Sequence, residues 1–267
     1  MKEELILSFS KIAAFTDLNT KGAQTYFLTD FPNLKQTFLT KLEAVVCIDE
    51  GCAHKDYKGK AKLALAGAGI LFPASSEEER VQLIAKLFTE IGIVEITSHG
   101  GCGAVGLAYK RDFSDSQPTA QELEDYGKKW VEKVAAEMIR LGREAAVGHI
   151  SVEELERPAE FHIAHVVYFD GVGGFNPDKE SGLPMGFVIS RKFLPSEYAV
   201  EELKVAASIA FGHHGFGELF TSETPFVIIP LANSLEELNN LKSEIEQALK
   251  DNPNREKIKV DGVVIEK

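Results

Sequence analysis

Residues 42–54 read LEAVVCIDEGCAH, and this stretch decides the fold class. An unbroken apolar run, Ala44-Val45-Val46-Cys47-Ile48, stops at Asp49 and is followed by Gly51. Short runs of this kind, bounded by turn residues, are how strands buried on both faces read. A second run, Ile91-Gly92-Ile93-Val94-Glu95-Ile96, leads into His99-Gly100-Gly101-Cys102. Two buried strands thus end in Cys and His residues. In an open parallel sheet, chemistry gathers outside the carboxyl ends of the strands.

Working outward, further strands are expected at 62–66, 92–97, 161–169 and 186–190, the last after a Gly- and Pro-containing loop over 171–185. Ser75-Ser76-Glu77-Glu78 carries the signature of a helix start, with the helix running to Ile91. Thr119 and Glu122 open the longest helix, expected over 119–147, with Leu123, Tyr126, Trp130, Val134, Met138 and Leu141 on one face. Strands alternating with crossovers predict an α/β fold with a mainly parallel central sheet flanked by helices. Apolar residues Leu5, Ile6, Phe9, Ile12, Ala13 and Phe15 predict a helical arm over 3–17. From Leu194 the texture changes. Helices at 201–211 and 234–250 and strands at 226–230 and 258–265 predict a C-terminal α/β extension. The expected division is therefore 1–195 and 196–267, with no internal repeat evident in the sequence.

Of the 267 residues, 41 are acidic and 29 basic, a formal charge of -12. That balance speaks against a phosphate-backbone partner, which needs a basic footprint. No apolar run approaches the ~20 residues of a membrane span, and no signal peptide follows Met1. Three cysteines in a chain this long read as free thiols in a reducing, cytoplasmic setting.

Thiolate and imidazole are the ligands zinc prefers, and three protein ligands with an open fourth position is the catalytic arrangement. Cys47, His99 and Cys102 are the candidate set, with Zn2+ as the expected cofactor. Cys52 and His54 are expected to line the loop without binding metal. His213 and His214 read as a Gly-rich turn closing a helix. His162 and His165 read as packing residues of a strand.

These pieces resemble the β-class carbonic anhydrases. That family carries Cys-x-Asp-x-Arg after its first strand and His-x-x-Cys further along. Here the first motif stands as Cys47-Ile48-Asp49-Glu50-Gly51 and the second as His99-Gly100-Gly101-Cys102-Gly103-Ala104. Ala66-Gly67-Ala68-Gly69 is similar to the family's segment after strand two, and Val167-Tyr168-Phe169-Asp170 to its late strand. The algal low-CO2-inducible proteins, sometimes placed in the θ class, are similar in the same ligands. The resemblance implies a β-carbonic-anhydrase-like fold over 1–195 and a lyase that interconverts CO2 and bicarbonate through hydroxide generated on zinc. It also implies a homodimer built with an N-terminal arm. Asp49 is the expected catalytic carboxylate, and Gly100 and Gly101 the expected substrate-binding amides. The family's arginine falls at Gly51, so either another cation holds Asp49, with Arg111 the expected one, or Asp49 behaves differently, or the chain is not a carbonic anhydrase. Hydrolysis of COS or CS2, or a catalytically inactive zinc-binding homologue, are the alternatives the residues leave open.

Overall fold

The computed structural model describes residues 4, 9, 13–113 and 117–265. The chain is α/β, with two parallel sheets flanked by helices. It divides into two compact units, Thr40–Ala159 and Met1–Leu39 together with Glu160–Lys267. Helices α1 (Ala13–Thr20) and α2 (Ala23–Asp30) belong to the second of these. Of the arm expected over 3–17, residues 3, 5–8 and 10–12 lie outside the described residues. No described helix is long and apolar enough to cross a membrane.

In Thr40–Ala159 the order is β1 (Ala44–Val46), α3 (Glu50–Ala53), β2 (Lys62–Ala64), α4 (Glu77–Ile91), β3 (Glu95–His99), α5 (Gly103–Asp112), α6 (Ala120–Arg140) and β4 (Ala146–Ile150). The four strands lie in the order β2-β1-β3-β4, all parallel. Small and β-branched residues suit β1, because it is covered on both faces: Ala44, Val45 and Val46 are all buried. From β1 the chain moves to β2 on one side, and β3 then takes the other side. The carboxyl ends of β1 and β3 therefore flank a topological switch point, where the loops diverge and leave a crevice.

Local signals fix the helices. Ser76 caps α4 by accepting from the Glu79 amide, and Gly92, at φ 98°, ends it in the left-handed region. Thr119 and Glu122 form a reciprocal capping box on α6. That helix buries Trp130, Val131, Val134, Ala135 and Met138. It stops at Arg140 rather than 147, because Gly142 at φ 81° turns the chain. Residues 146–150 then form β4, an edge strand whose half-exposed residues lack the apolar density that marks a central strand in sequence.

The other unit contains β5 (Val166–Asp170), β6 (Gly186–Ile189), α7 (Ser196–Phe211), β7 (Phe226–Ala232), α8 (Leu235–Leu249), β8 (Ile258–Val260) and β9 (Val263–Val264). Its sheet runs β6-β5-β7-β8, with β9 also on β7, all parallel. The boundary expected at 195–196 falls inside this unit, since β5 and β6 from before it share a sheet with β7, β8 and β9 from after it. Residues 161–165 precede β5 instead of forming part of it.

Among these residues, His165 is buried, 6% exposed, with Phe15 packed against its ring at 5.5 Å. Its Nδ1 donates to the Ile163 carbonyl at 3.2 Å, and its Nε2 has no hydrogen-bond partner. Burial pushes its pKa down to about 4, against the bond to Ile163, which raises it. The unfolded chain takes up this proton near ~6.5. Stability is therefore complete above that pH and falls as pH drops from ~6.5 towards 4, by about 3 kcal/mol for this one group. His165→Phe is expected to flatten that window, so urea midpoints of variant and wild type should diverge progressively between pH 7 and pH 4.5. Parallel curves would exclude His165 as the acid-sensitive group.

Candidate metal centre

Cys47 follows β1, His99 closes β3, and Cys102 is the N-cap residue of α5. The three residues meet at the switch point. One ligand atom from each lies within 4.8 Å of the others, and the two sulfurs are 3.9 Å apart. All three residues are buried. The His99 Nδ1 lies 2.9 Å from the Gly100 carbonyl. A carbonyl only accepts, so Nδ1 carries a proton, and in the neutral ring, the form that binds a metal, Nε2 holds the lone pair. That Nε2 is buried without a hydrogen-bond partner. A buried, orphaned imidazole nitrogen beside two thiols fits a soft divalent metal, and the donor set suits zinc.

The turn Ala66–Gly69 wraps under the sulfurs. The Gly67 amide donates to Cys47 Sγ at 3.3 Å, and a Cβ at Gly67 would lie 2.8 Å from Ile70 Cγ2 and 3.6 Å from Cys102 Sγ. Gly67 and Ala68 both have left-handed backbones, φ 54° and 55°. For Ala68 that costs roughly 1–2 kcal/mol. The Trp130 indole donates to the Ala68 carbonyl at 3.0 Å and helps to hold the turn.

Asp49 caps α3, and its Oδ1 accepts from the Gly51 amide at 2.8 Å. Its cationic partner is Arg157. Nε donates to Oδ1 at 2.9 Å and Nη2 to Oδ2 at 2.8 Å, a bidentate pair with both side chains buried. Arg157 Nη1 donates to the carbonyls of Pro158 and Ala159. The expectation for Arg111 is corrected: its guanidinium pairs with Asp112 at 2.8 and 3.1 Å and donates to the Ile70 carbonyl. Arg111 rides on the last turn of α5, where the neighbouring aspartate satisfies it locally. Arg191 lies in the other unit and pairs with Glu244.

Gly51 is a glycine because Arg157 fills the space beside it. A Cβ there would lie 2.8 Å from Arg157 Cγ, 3.0 Å from Leu155 Cβ and 3.1 Å from Asp49 Oδ1. Sequence reasoning missed Arg157, which stands 108 residues from its partner. The available signal was the glycine itself, next to a carboxylate that needed a cation. Gly51→Ala is expected to cost about 1–3 kcal/mol by overpacking. In the Arg157→Ala background the same change should cost clearly less, since its closest contact has gone. A denaturant double-mutant cycle reads the coupling, and strict additivity would place the contact elsewhere.

No family model, no curated protein and no solved structure matches this chain.

Of the two glycines expected to offer amides to a substrate, Gly100 already donates its N–H to the Ile150 carbonyl at 3.0 Å. This corrects its expected role: the amide serves the β3–β4 edge. A Cβ at Gly100 would meet Val152 at 2.6 Å, which explains the residue. Gly101, at φ 67°, supplies the left-handed turn that returns the chain to Cys102.

The electrostatics distinguish the two thiols. The bond from Cys102 and burial both push the Cys47 thiol well up. Cys102 is pulled down by that same bond, against burial, with help from the α5 amides of Val105 and Ala104. Burial opposes charge on His99, but Cys47, Asp49 and the Gly100 carbonyl raise its pKa to about 9. Burial also opposes charge on Arg157, yet its bonds to Asp49 more than offset this and its pKa is raised. Cys52 is buried on α3 and His54 caps the end of that helix, while His213 and His214 lie in the other unit with their rings tilted and 3.9 Å apart.

Proposed function

We propose that the protein is a zinc-dependent, carbonic-anhydrase-like lyase that interconverts CO2 and bicarbonate. The observation that carries this reading is the juxtaposition, in one unit, of the Cys47–His99–Cys102 set with a carboxylate held by a guanidinium. Cys47, His99 and Cys102 would hold the ion and leave its fourth position to water. Bound zinc supplies a Lewis acid that lowers the pKa of a water ligand to ~7.

The remaining work falls to the chain. The His99 Nδ1–H donates to the Gly100 carbonyl, which fixes the ring's orientation and tautomer. The Gly67 amide and the α5 amides stabilise negative charge on the two sulfurs. Asp49 is kept ionised and aimed by the Arg157 fork and the Gly51 amide. A carboxylate so held can accept and orient a proton at its oxygens without turning to coordinate the metal. Arg157 thus supplies beside Asp49 the cation that Gly51 cannot.

Stopped-flow CO2 hydration with a pH indicator tests the proposal. The expected result is a rate far above buffer, lost on treatment with a zinc chelator and restored by added zinc. Zinc-loaded protein with no activity above buffer would overturn it. Release of sulfide from COS or CS2 in place of CO2 hydration would move the substrate and keep the site.

A further inference from the structure

We infer that the chain is an internal duplication: one unit built twice, with the metal-ligand positions of the second copy overwritten by Phe169, Leu231 and Ser234. Each sheet has the same plan. The order β2-β1-β3-β4 in one corresponds to β6-β5-β7-β8 in the other, and every strand is parallel. In both, the first two strands are joined without a long helix, through 47–61 in one and 171–185 in the other. Counted between register partners, the connections differ by two residues, 18 from Ala44 to Lys62 and 20 from Val166 to Gly186. A long helix, α4 or α7, then crosses to the strand on the far side of the first, and further helix leads to the fourth.

Register makes the correspondence specific. Ala44 of β1 stands opposite Lys62 on one side and Glu95 on the other. Val166 of β5 stands opposite Gly186 and Val227 in the same way. Counting on from these anchors, Cys47 corresponds to Phe169, and the pleat sends both to the same face. His99 corresponds to Leu231, and Cys102 to Ser234. An independent feature agrees with this count. Cys102 is the N-cap residue of the helix after β3, and Ser234 is the N-cap residue of the helix after β7.

The second set cannot hold a metal. Phe169 and Leu231 are fully buried apolar side chains, and the Ser234 hydroxyl accepts from the Glu237 amide as a helix cap. The second switch point is also closed by its own loop. Asp170 at the end of β5 accepts from the amides of Gly173 and Phe175, and a Cβ at Gly171 would lie 2.6 Å from Leu241. A packed core occupies the place of a site, so the second copy serves as scaffold. The centre in the first copy rests on the proposed function, whereas the matching of positions rests on register and on the helix N-caps.

Two experiments separate these. In a chain with Cys47, Cys52 and Cys102 changed to serine, Phe169→Cys and Ser234→Cys should stand as Cys47 and Cys102 do, with sulfurs near 3.9 Å. Copper-phenanthroline should then oxidise them to one disulfide, each thiol releasing a proton to solvent and one electron to the oxidant as the S–S bond forms, with both free thiols lost by intact mass. Two free thiols in a folded protein would overturn the correspondence. If the shortened Phe169 prevents folding, Phe169→His/Leu231→His/Ser234→Cys keeps an aromatic ring at 169, supplies three donors and decides by cobalt(II). A thiolate-to-cobalt absorption band supports the inference, and its absence overturns it. In the otherwise unaltered chain, adding Phe169→Cys, Leu231→His and Ser234→Cys should raise bound zinc from one equivalent to two. A disulfide that forms while the unaltered chain binds no zinc would sink the proposed function and leave the duplication standing.

Discussion

Arg157→Ala is expected to abolish most CO2 hydration while leaving zinc bound. Arg157 and Asp49 are both buried and share two charge-assisted hydrogen bonds. Removing the guanidinium leaves a buried carboxylate with its charge uncompensated. Truncation of one partner of such a pair costs about 3–5 kcal/mol of stability. The carboxylate then has two escapes, to take up a proton or to turn towards the metal, and either ends its role as an oriented acceptor. A loss of roughly a hundredfold or more in rate follows. Arg157→Lys keeps a charge and loses the fork, so it should fall between. Arg111→Ala is the informative control, because that side chain is 38% exposed and serves Asp112. Its effect on rate should be within about twofold, as for exposed ion pairs generally. Gly51→Arg placed in the Arg157→Ala chain should recover part of the activity, since the closest obstacle to a side chain at 51 has then been removed. Zinc content and stopped-flow rates, measured on the same samples, decide the matter. Full activity in Arg157→Ala would remove Asp49 orientation from the mechanism.

Cys102→Ser and Cys47→Ser should each lose stoichiometric zinc, and hydration should fall to the buffer rate. A hydroxyl in place of a thiolate removes a ligand the metal prefers and leaves two donors, too few for a tetrahedral ion to be held tightly. Metal that binds only the folded chain also stabilises it, by about 4 kcal/mol when free zinc is a thousandfold above its dissociation constant. Wild-type melting temperature should therefore drop on chelation, and the two variants should start from the lower value and not respond. Cys52→Ser should retain zinc, because Cys52 is not among the three residues whose ligand atoms converge. Elemental analysis with thermal melts reads all of this. One equivalent of zinc surviving in Cys47→Ser would show that the ligands lie elsewhere.

What was legible in the sequence was local. Buried strands announced themselves through the apolar runs at 44–48 and 91–96, which overlap β1 and the start of β3, and helix starts at Ser76 and Thr119 through capping signals. The α/β class followed from their alternation, and Cys47, His99 and Cys102 from their chemistry and their place at strand ends. Tertiary structure alone decided the rest. An apolar run says that a strand is buried but carries no record of its neighbours. So β5 could be read as part of the first sheet until its register with β7 was seen. Edge strand β4 was hidden because half-exposed residues blur the periodicity that would mark it. The partner of Asp49 was hidden for a related reason. A guanidinium reaches its carboxylate through space, and the chain between Gly51 and Arg157 folds through three strands before bringing them together. Nearness in sequence pointed to Arg111, but a charge is claimed by the nearest group in space, and for Arg111 that group is Asp112. The sequence kept one trace of the outcome, a glycine where a side chain would have met Arg157.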